Sequence, residues 1–143
     1  MRFMVMVKAN AESEAGALPS AELMAAMGRF NEEMVKAGVM LAGEGLQASS
    51  KGARIRYGGG RPTVTDGPFT EAKELVAGFW LIEVKSKEEA VEWMSRCPMQ
   101  DGDEIEIRQI FETSDFPEDI LPPEAAEREE AMRRAQEANA AKR

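Results

Sequence analysis

The fold is decided by the stretch Arg2–Lys8, which reads RFMVMVK and places five consecutive apolar side chains between two cations. Successive side chains of a β-strand point to opposite faces of a sheet. An unbroken apolar run bounded by charge therefore predicts a strand that is buried on both faces. We expect the chain to begin with a strand that needs a cover on each side of its sheet.

A helix and a second strand are predicted after this first strand. Pro19 and Ser20 open a helical pattern, and Gly38 ends it, because glycine adopts the left-handed conformation that closes many helices. The apolar side chains of this pattern recur at spacings of three and four residues, and they are Leu23, Met27, Phe30 and Met34. Residues 39–46 predict the second strand, and the glycines at its far end indicate a bulge or a close backbone approach.

The following segment predicts a hairpin, a strand, a helix and a last strand. Residues 53–57 and 62–65 predict a β-hairpin, and residues 77–85 predict a central strand because their apolar run is nearly unbroken. Ser86 and Glu89 have the spacing of a capping box, so a helix is expected to begin there and to end before Pro98. Residues 104–108 alternate polar and apolar side chains, as a half-buried strand does.

This order of elements predicts an α+β fold of the ferredoxin-like type, a split βαβ with an inserted β-hairpin. Both helices of such a fold cover the same face of the sheet, yet Phe3, Val5 and Val7 and their alternate neighbours Met4 and Met6 are all apolar. We therefore expect a second copy of the chain to cover the other face, which gives a homodimer of the dimeric α+β barrel type. About 800 Å² of mostly apolar surface on each subunit is ordinary for a stable dimer.

Composition and charge exclude several classes of protein. Of the 143 residues, 43% are hydrophobic and 31% are charged, as in ordinary soluble globular proteins. The formal charge of −8 repels phosphate backbones and anionic lipid heads, so no direct binding to nucleic acid is expected. The apolar runs are too short to cross a membrane, since a spanning helix needs about 20 apolar residues.

The chain has no histidine and a single cysteine, Cys97. No Ser-His or Cys-His pair, His-ligated haem or ordinary zinc site can be built without these residues. Three carboxylates, those of Asp66, Glu71 and Glu74, are an alternative site for a divalent cation, but their spacing matches no strong motif, so we expect neither a cofactor nor a metal. One cysteine forms no intramolecular disulfide and no secretory leader is visible, so a reducing cytoplasm is the expected location. Cys97 lies at the carboxyl end of a predicted helix, which disfavours a thiolate, and we interpret it as buried and inert.

The composition changes to proline, glutamate, alanine and arginine beyond residue 111. Large apolar side chains are rare in this part, so its predicted final helix has little surface to bury. We expect residues 1–111 to form the barrel domain. Residues 112–143 are expected to be an acidic, alanine-rich C-terminal extension, helical and weakly packed.

The turn Asp66-Gly67-Pro68-Phe69 and the polar residues after it form the densest cluster of candidate catalytic groups. Asp-Gly-Pro favours a tight, preorganised bend. If Asp66 converges with a neighbouring glutamate, Glu71 or Glu74, repulsion raises the pKa of one carboxyl and yields an acid and base pair. The alternative is that Asp66 caps the turn, while Glu71, Lys73 and Glu74 are a solvated run.

Other candidate residues come from distant parts of the sequence. Glu44, between two glycines at a strand end, has open space around it and is a second catalytic candidate beside Asp66. Arg108 lies on the strand face opposite Ile105 and Ile107 and would hold an anionic substrate through a bidentate fork, or else neutralise Glu44 or Asp66. The further candidates for substrate binding are Phe69, Tyr57 and Glu71.

Three segments resemble the YCII-related family, in its DGPF branch. They are residues 43–46 (GEGL), 66–74 (DGPFTEAKE) and 78–83 (GFWLIE), and the likeness covers residues 1–111. The resemblance implies a dimeric α+β barrel. Relatives with a His and Asp pair are thought to be dehalogenase-like or lactone isomerase-like enzymes, and only Asp66 of that chemistry carries over to this histidine-free chain. DGPF proteins are often encoded beside extracytoplasmic-function sigma factors, which implies an accessory or sensing role.

Two hypotheses about function follow. In the first, the homodimer binds or transforms a small-molecule ligand in a polar cleft lined by Glu44, Asp66 and Arg108. In the second, the chain is a non-catalytic accessory or regulatory dimer that acts with a protein partner such as an extracytoplasmic-function sigma factor. Paired carboxylates in one concave site are expected in an enzyme, whereas an open apolar patch or an ordered tail is expected in a regulator.

Overall fold

Six strands and four helices make up the part of the chain that the computed structural model describes, residues 1–142 with the backbone alone of Lys73. The strands are β1 (Arg2–Lys8), β2 (Met40–Gly45), β3 (Ala53–Arg56), β4 (Thr63–Asp66), β5 (Val76–Glu83) and β6 (Ile105–Gln109). The helices are α1 (Ala11–Glu14), α2 (Ala21–Lys36), α3 (Lys87–Ser95) and α4 (Pro123–Ala141). These elements confirm an α+β fold.

Four strands form one antiparallel sheet in the order β2-β5-β1-β6, and β3 pairs with β4 in a separate two-stranded sheet. With the hairpin set aside, this is the strand order of a split βαβ fold. Strand β5 lies between β2 and β1, so the prediction of a central strand from its apolar run is confirmed. The sequence indicated a bulge or a close backbone approach at the glycines of β2. The irregular pairing occurs between Met40 and Ala42 instead, whereas the backbone of Glu44 and Gly45 lies close to Gly78.

The core lies between the helices and one face of the large sheet. Phe3 and Val5 of β1 are 2% and 0% exposed, and they join Trp80 and Ile82 of β5 in one buried cluster. Helices α2 and α3 contribute side chains to the same cluster. These are Phe30 and Met34 of α2 and Ala90 and Met94 of α3. Both helices therefore cover the same face of the sheet.

The opposite face of the sheet, which we call the open face, carries a second set of apolar side chains. Met4 pairs with Leu81, and Met6 pairs with Phe79, so the four share this face, and each is half-buried. Charged residues stand at the edges of the same rows, since Arg108 and Glu106 of β6 pair with Met4 and Met6, and Glu44 of β2 pairs with Phe79. In a single chain, the strand predicted to be buried on both faces has Phe3 and Val5 buried and Val7 half-buried on the core face, and Met4 and Met6 half-buried on the open face.

Helix ends follow the sequence signals with two exceptions. The hydroxyl of Ser20 accepts the N–H of Leu23, and Gly38 has a φ of 73°, as predicted for the ends of α2. The hydroxyl of Ser86 accepts the N–H of Glu89 at 3.1 Å, but the Glu89 carboxylate accepts the N–H of Lys85, so the return bond is displaced by one residue. Helix α1 lies between β1 and Ser20, where no helix was predicted.

A second compact unit begins at Ile110. In it, a guanidinium nitrogen of Arg133 lies 3.0 Å from a carboxylate oxygen of Glu112, and the hydroxyl of Thr113 donates to Glu130 at 3.0 Å. These bonds join α4 to the short 3-10 turn Thr113–Asp115, although α4 has no buried residue in its described length. None of the helices described is long and apolar enough to cross a membrane.

Candidate functional site

A cavity of about 510 Å³ lies on the helix-covered side of the sheet. It is bounded by β2 and β5, by α2, by the chain segment that includes α1, and by the loop before β6. Its wall on α2 is apolar, because Leu23, Met24 and Met27 follow one another at helical spacing on one side of the helix. Leu18, in the loop before α2, completes this wall and is 90% exposed.

The floor of the cavity is made by three glycines, Gly43, Gly45 and Gly78. Gly45 pairs with Gly78, and Gly43 pairs with the buried Trp80, so all three lie in the rows of the sheet that face the helices. A Cβ at Gly45 would meet nothing within 4 Å. A Cβ at Gly43 would lie 2.6 Å from Met40 Cε and 2.7 Å from Trp80 Cδ1. A Cβ at Gly78 would lie 3.1 Å from the Glu44 carbonyl oxygen, so of the three glycines only Gly45 leaves open space above the floor.

The indole of Trp80 is held at the edge of the cavity by a residue of α2. Its Nε1–H donates to Asn31 Oδ1 at 3.0 Å, which satisfies a donor that is otherwise enclosed in the core. The Phe30 ring packs edge-on against the indole with the ring centroids 6.3 Å apart. Helix α2 thus fixes the orientation of the largest side chain beside the cavity.

One end of the cavity is polar. Asn10 Oδ1 accepts the N–H of Ser13 at 2.8 Å, and Asn10 Nδ2 donates to Asp103 Oδ1 at 3.4 Å. The second oxygen of Asp103 accepts the N–H of Gln100 at 2.9 Å. Lys8 also lines the cavity, but its Nζ lies 3.1 Å from a carboxylate oxygen of Glu106. Hydrogen-bonding groups from the ends of two loops therefore meet at this end.

The Asp-Gly-Pro-Phe turn is bound to α1 through Ser49. The Ser49 hydroxyl accepts the N–H of Phe69 at 3.0 Å and donates to Glu14, while the Ser49 N–H donates to Glu14 Oε1 at 3.1 Å. The Gly67 N–H donates to the Gly52 carbonyl oxygen at 3.0 Å. A Cβ at Gly67 would overlap the backbone carbonyl of Ser49, so this position requires glycine. The turn is tight, as predicted.

Of the predicted catalytic residues, Glu44 lines the cavity and Asp66 does not. Glu44 is exposed, and its pairing with Phe79 places it in a row of the open face. Asp66 ends β4, pairs with Ala53 and is exposed. The structure does not bring the two carboxylates into one site within the chain.

The predicted substrate-binding residues are also dispersed. Arg108 is exposed on β6, the outer strand opposite β2, so about 14 Å of sheet separates it from the strand of Glu44. Phe69 is half-buried, and the Arg54 guanidinium carbon lies 3.8 Å from its ring centroid. Tyr57 is 79% exposed beyond the end of β3, and Glu71 is exposed before the short turn Ala72–Glu74. The side chain of Lys73 lies outside the described residues.

Apart from Glu44, the residues that line the cavity were not predicted to belong to a site. Glycines in two strands were available as a signal, since glycine in a strand often marks a close approach to the backbone. The roles of Asn31, Glu14 and Ser49 have no local signal, because their partners are 49, 35 and 20 residues away in the chain. Among residues 1–142, with the Lys73 side chain aside, no group of three histidine, cysteine or acidic side chains is placed to hold a metal ion.

Cys97 is half-buried beside the core cluster, and its Sγ lies 3.9 Å from Met27 Sδ. Burial raises the pKa of this thiol from 9.0 to about 11, since desolvation disfavours the thiolate. The thiol is therefore protonated at neutral pH. This agrees with the interpretation of Cys97 as an inert thiol and gives it no place in nucleophilic chemistry.

Comparison with known proteins gives one family and one relative. A family model described as the YCII-related domain matches residues 1–114. A protein of Rhizobium meliloti (strain 1021), described as uncharacterized, is 32% identical over 71 residues. That alignment spans 50% of this chain and 57% of the length of the relative.

Proposed function

The chain belongs to the family of the YCII-related domain, and on that premise we propose that it binds a small molecule in the cavity between α2 and the sheet. The observation that carries this proposal is the glycine floor beneath an apolar wall. No side chain rises from the floor, and the open space above Gly45 is bounded by leucine and methionine side chains. Ligand cavities typically measure about 300–1,000 Å³ and combine an apolar lining with few polar groups.

The polar end of the cavity favours a particular class of ligand. Glu12 and Asp103 contribute carboxylates to the lining, whereas the Lys8 ammonium is engaged by Glu106. An anionic group would meet repulsion there, and the Asp103 carboxylate would remain a good acceptor for a hydrogen-bond donor. We propose a ligand with an apolar body and a neutral or cationic hydrogen-bonding end, such as an aryl or alkyl amine.

The assembly that we propose is a homodimer formed through the open face, which gives a dimeric α+β barrel. Four half-buried apolar side chains form the middle of this face, with Glu44 at one edge and Arg108 at the other. Two copies packed face to face bury this apolar middle. A catalytic cleft that contains Asp66, Glu44 and Arg108 would require this second copy, because one chain does not assemble it.

The test of ligand binding is to fill the cavity at Gly45, where a side chain meets no neighbour within 4 Å. The probe is N-phenyl-1-naphthylamine, a neutral aromatic amine whose fluorescence rises in an apolar site. Gly58→Leu is the matched control, because it adds the same side chain in open space on the hairpin loop. Chemical denaturation of both variants establishes that they fold.

We expect saturable binding of the probe to the natural chain, a loss of affinity of about tenfold or more in Gly45→Leu, and an unchanged affinity in Gly58→Leu. Equal affinity in all three proteins, or no binding at all, would overturn the cavity as the binding site. The accessory role with a protein partner such as an extracytoplasmic-function sigma factor would then be the function to pursue.

A further inference from the structure

The cavity of the proposed binding site is bounded on one side by the segment of residues 10–19, which contains α1. This segment contributes more of the lining residues than α2, β2 or β5 does. None of its residues is buried, since Ser13 and Glu14 are half-buried and the others are exposed. Residues 10–19 therefore cover the cavity without an anchor in the hydrophobic core.

Two side chains join residues 10–19 by hydrogen bonds to the other described parts of the chain. The Glu14 carboxylate accepts both the N–H and the hydroxyl of Ser49, and bonds to a charged acceptor are the stronger ones. Asn10 Nδ2 donates to Asp103 Oδ1 at 3.4 Å, which is long for an N–H···O bond. Helix α1 has only four residues, too few to be stable by itself in water. The position of the segment therefore depends mainly on the two bonds between Glu14 and Ser49.

Leu18 is the residue of this segment that is best placed to close over a ligand. It lines the cavity beside the apolar wall of α2, yet it is 90% exposed. Residues 15–19 make no hydrogen bond to another element among the described residues, and Gly16 precedes Leu18 with a φ of 83°. Loop movements are taken up by dihedral changes at a few such residues near the ends of elements. Inward movement of Leu18 onto an apolar ligand is favoured, because it removes apolar surface from water.

We propose that residues 10–19 form a lid that closes Leu18 over the bound ligand and that is held in place by the bonds between Glu14 and Ser49. The inference rests on the proposed function and adds a control of ligand release to it. Lids exclude water from a site, and lid opening limits the rate of release in many proteins. The Ser49 hydroxyl also accepts the N–H of Phe69, so the Asp-Gly-Pro-Phe turn supports the residue that holds the lid. The turn then influences how long the ligand stays bound, although it does not line the cavity.

The first measurement is the dissociation rate of N-phenyl-1-naphthylamine, followed by the loss of its fluorescence after rapid dilution. Leu18→Ala shortens the apolar side chain of the lid. Leu41→Ala is the matched control, because it makes the same change at an exposed leucine of β2 outside the cavity lining. We expect dissociation to be about fivefold faster or more in Leu18→Ala, and within about twofold of the natural rate in Leu41→Ala.

Variants of Glu14 distinguish a moving lid from a fixed wall, because Glu14 itself does not line the cavity. Glu14→Ala removes both bonds to Ser49, whereas Glu14→Gln keeps an amide oxygen as an acceptor. Glu92→Ala is the matched control, since it removes an exposed carboxylate from α3. We expect dissociation to be about threefold faster or more in Glu14→Ala, intermediate in Glu14→Gln and unchanged in Glu92→Ala. Chemical denaturation of each variant establishes that it folds.

Hydrogen exchange reports the lid directly. Amides of residues 14–17 should gain protection when the probe saturates the natural chain, and they should gain less in Glu14→Ala. Saturable binding with equal dissociation rates in the natural chain, Leu18→Ala and Glu14→Ala overturns the lid and leaves the cavity as the binding site. Faster release in Leu18→Ala alone, without a gain of protection, shows a fixed wall and also overturns the lid. No saturable binding to the natural chain overturns the proposed function, and the lid with it.

Discussion

Glu14 holds Ser49 with both oxygens of its carboxylate, one bonded to the Ser49 N–H at 3.1 Å and the other to the Ser49 hydroxyl. The same hydroxyl accepts the N–H of Phe69, so α1 and the turn after β4 are tied to one side chain. Asn10 and Ser13, beside and within α1, line the polar end of the cavity. The Asp-Gly-Pro-Phe turn is therefore bonded through Ser49 to α1, which borders the cavity, but the turn itself does not line the cavity.

Replacing Ser49 by alanine should destabilise the fold by about 1–3 kcal/mol, because the Phe69 N–H and one Glu14 oxygen lose their partner. Ser95→Ala is the control, since it removes a hydroxyl that donates to the Val91 carbonyl on the exposed side of α3. Urea unfolding followed by circular dichroism measures both. An equal loss of unfolding free energy in the two variants would show that the Ser49 hydrogen bonds stabilise the fold no more than the Ser95 hydrogen bond does.

Two glycine-to-alanine substitutions should have opposite effects on stability. Gly67→Ala places a Cβ onto the Ser49 carbonyl and should cost about 1–3 kcal/mol through displacement of the turn. Gly28→Ala adds a methyl group in open space within α2 and should stabilise by about 0.5–1 kcal/mol through helix propensity. Thermal unfolding compares the two variants directly. A stable Gly67→Ala protein would contradict the tight approach of turn and Ser49.

Asn31→Ala should destabilise the protein by about 1–3 kcal/mol, because it leaves the Trp80 Nε1–H without its acceptor beside the core. Glu32→Ala, at the next and exposed position of α2, should change stability by no more than about 0.5 kcal/mol. Chemical denaturation gives the two values. An emission spectrum of Trp80 that is unchanged in Asn31→Ala, with unchanged stability, would refute the role of this bond.

Cys97 should make stability depend on alkaline pH. Its thiol has a raised pKa of about 11 in the fold against 9.0 ordinarily, so the folded state retains the proton more strongly. The resulting stabilisation is complete below pH 9 and is lost as the pH rises toward 11. The difference in unfolding free energy between the natural chain and Cys97→Ala should shift over this interval. If this difference in unfolding free energy is constant with pH, the Cys97 thiol is more exposed to solvent than the raised pKa requires.

The sheet and the long helices could be predicted from the sequence because their signals are local. The apolar run of β1 and the spacing of Phe30 and Met34 in α2 depend on neighbours within a few residues. The cavity could not be predicted in this way. It depends on the register that places Gly45 opposite Gly78, which only the folded sheet defines.

The residues predicted to line a cleft of the homodimer lie apart within one chain for a similar reason. Glu44 and Arg108 both lie on the open face, but the strand order places them at opposite edges of the sheet. The sequence indicated the face of Arg108 correctly through alternation, since Ile105 and Ile107 pack against the core and Arg108 does not. Glu44 and Arg108 are separated because the crossover connections place β2 and β6 at opposite edges of the sheet. The alternation of side chains along one strand contains no information about this strand order.

Because the space above Gly45 is open, the size of the side chain at residue 45 should set the length of the ligand that the proposed cavity accepts. A Cβ added there meets no atom within 4 Å beyond its chain neighbours, so we expect larger side chains at residue 45 to shorten the cavity. A graded series of alanine, valine and leucine at residue 45 should therefore select progressively shorter members of a homologous series of amines. Relatives that differ at this one position would be expected to have diverged in the size of the molecule they accept.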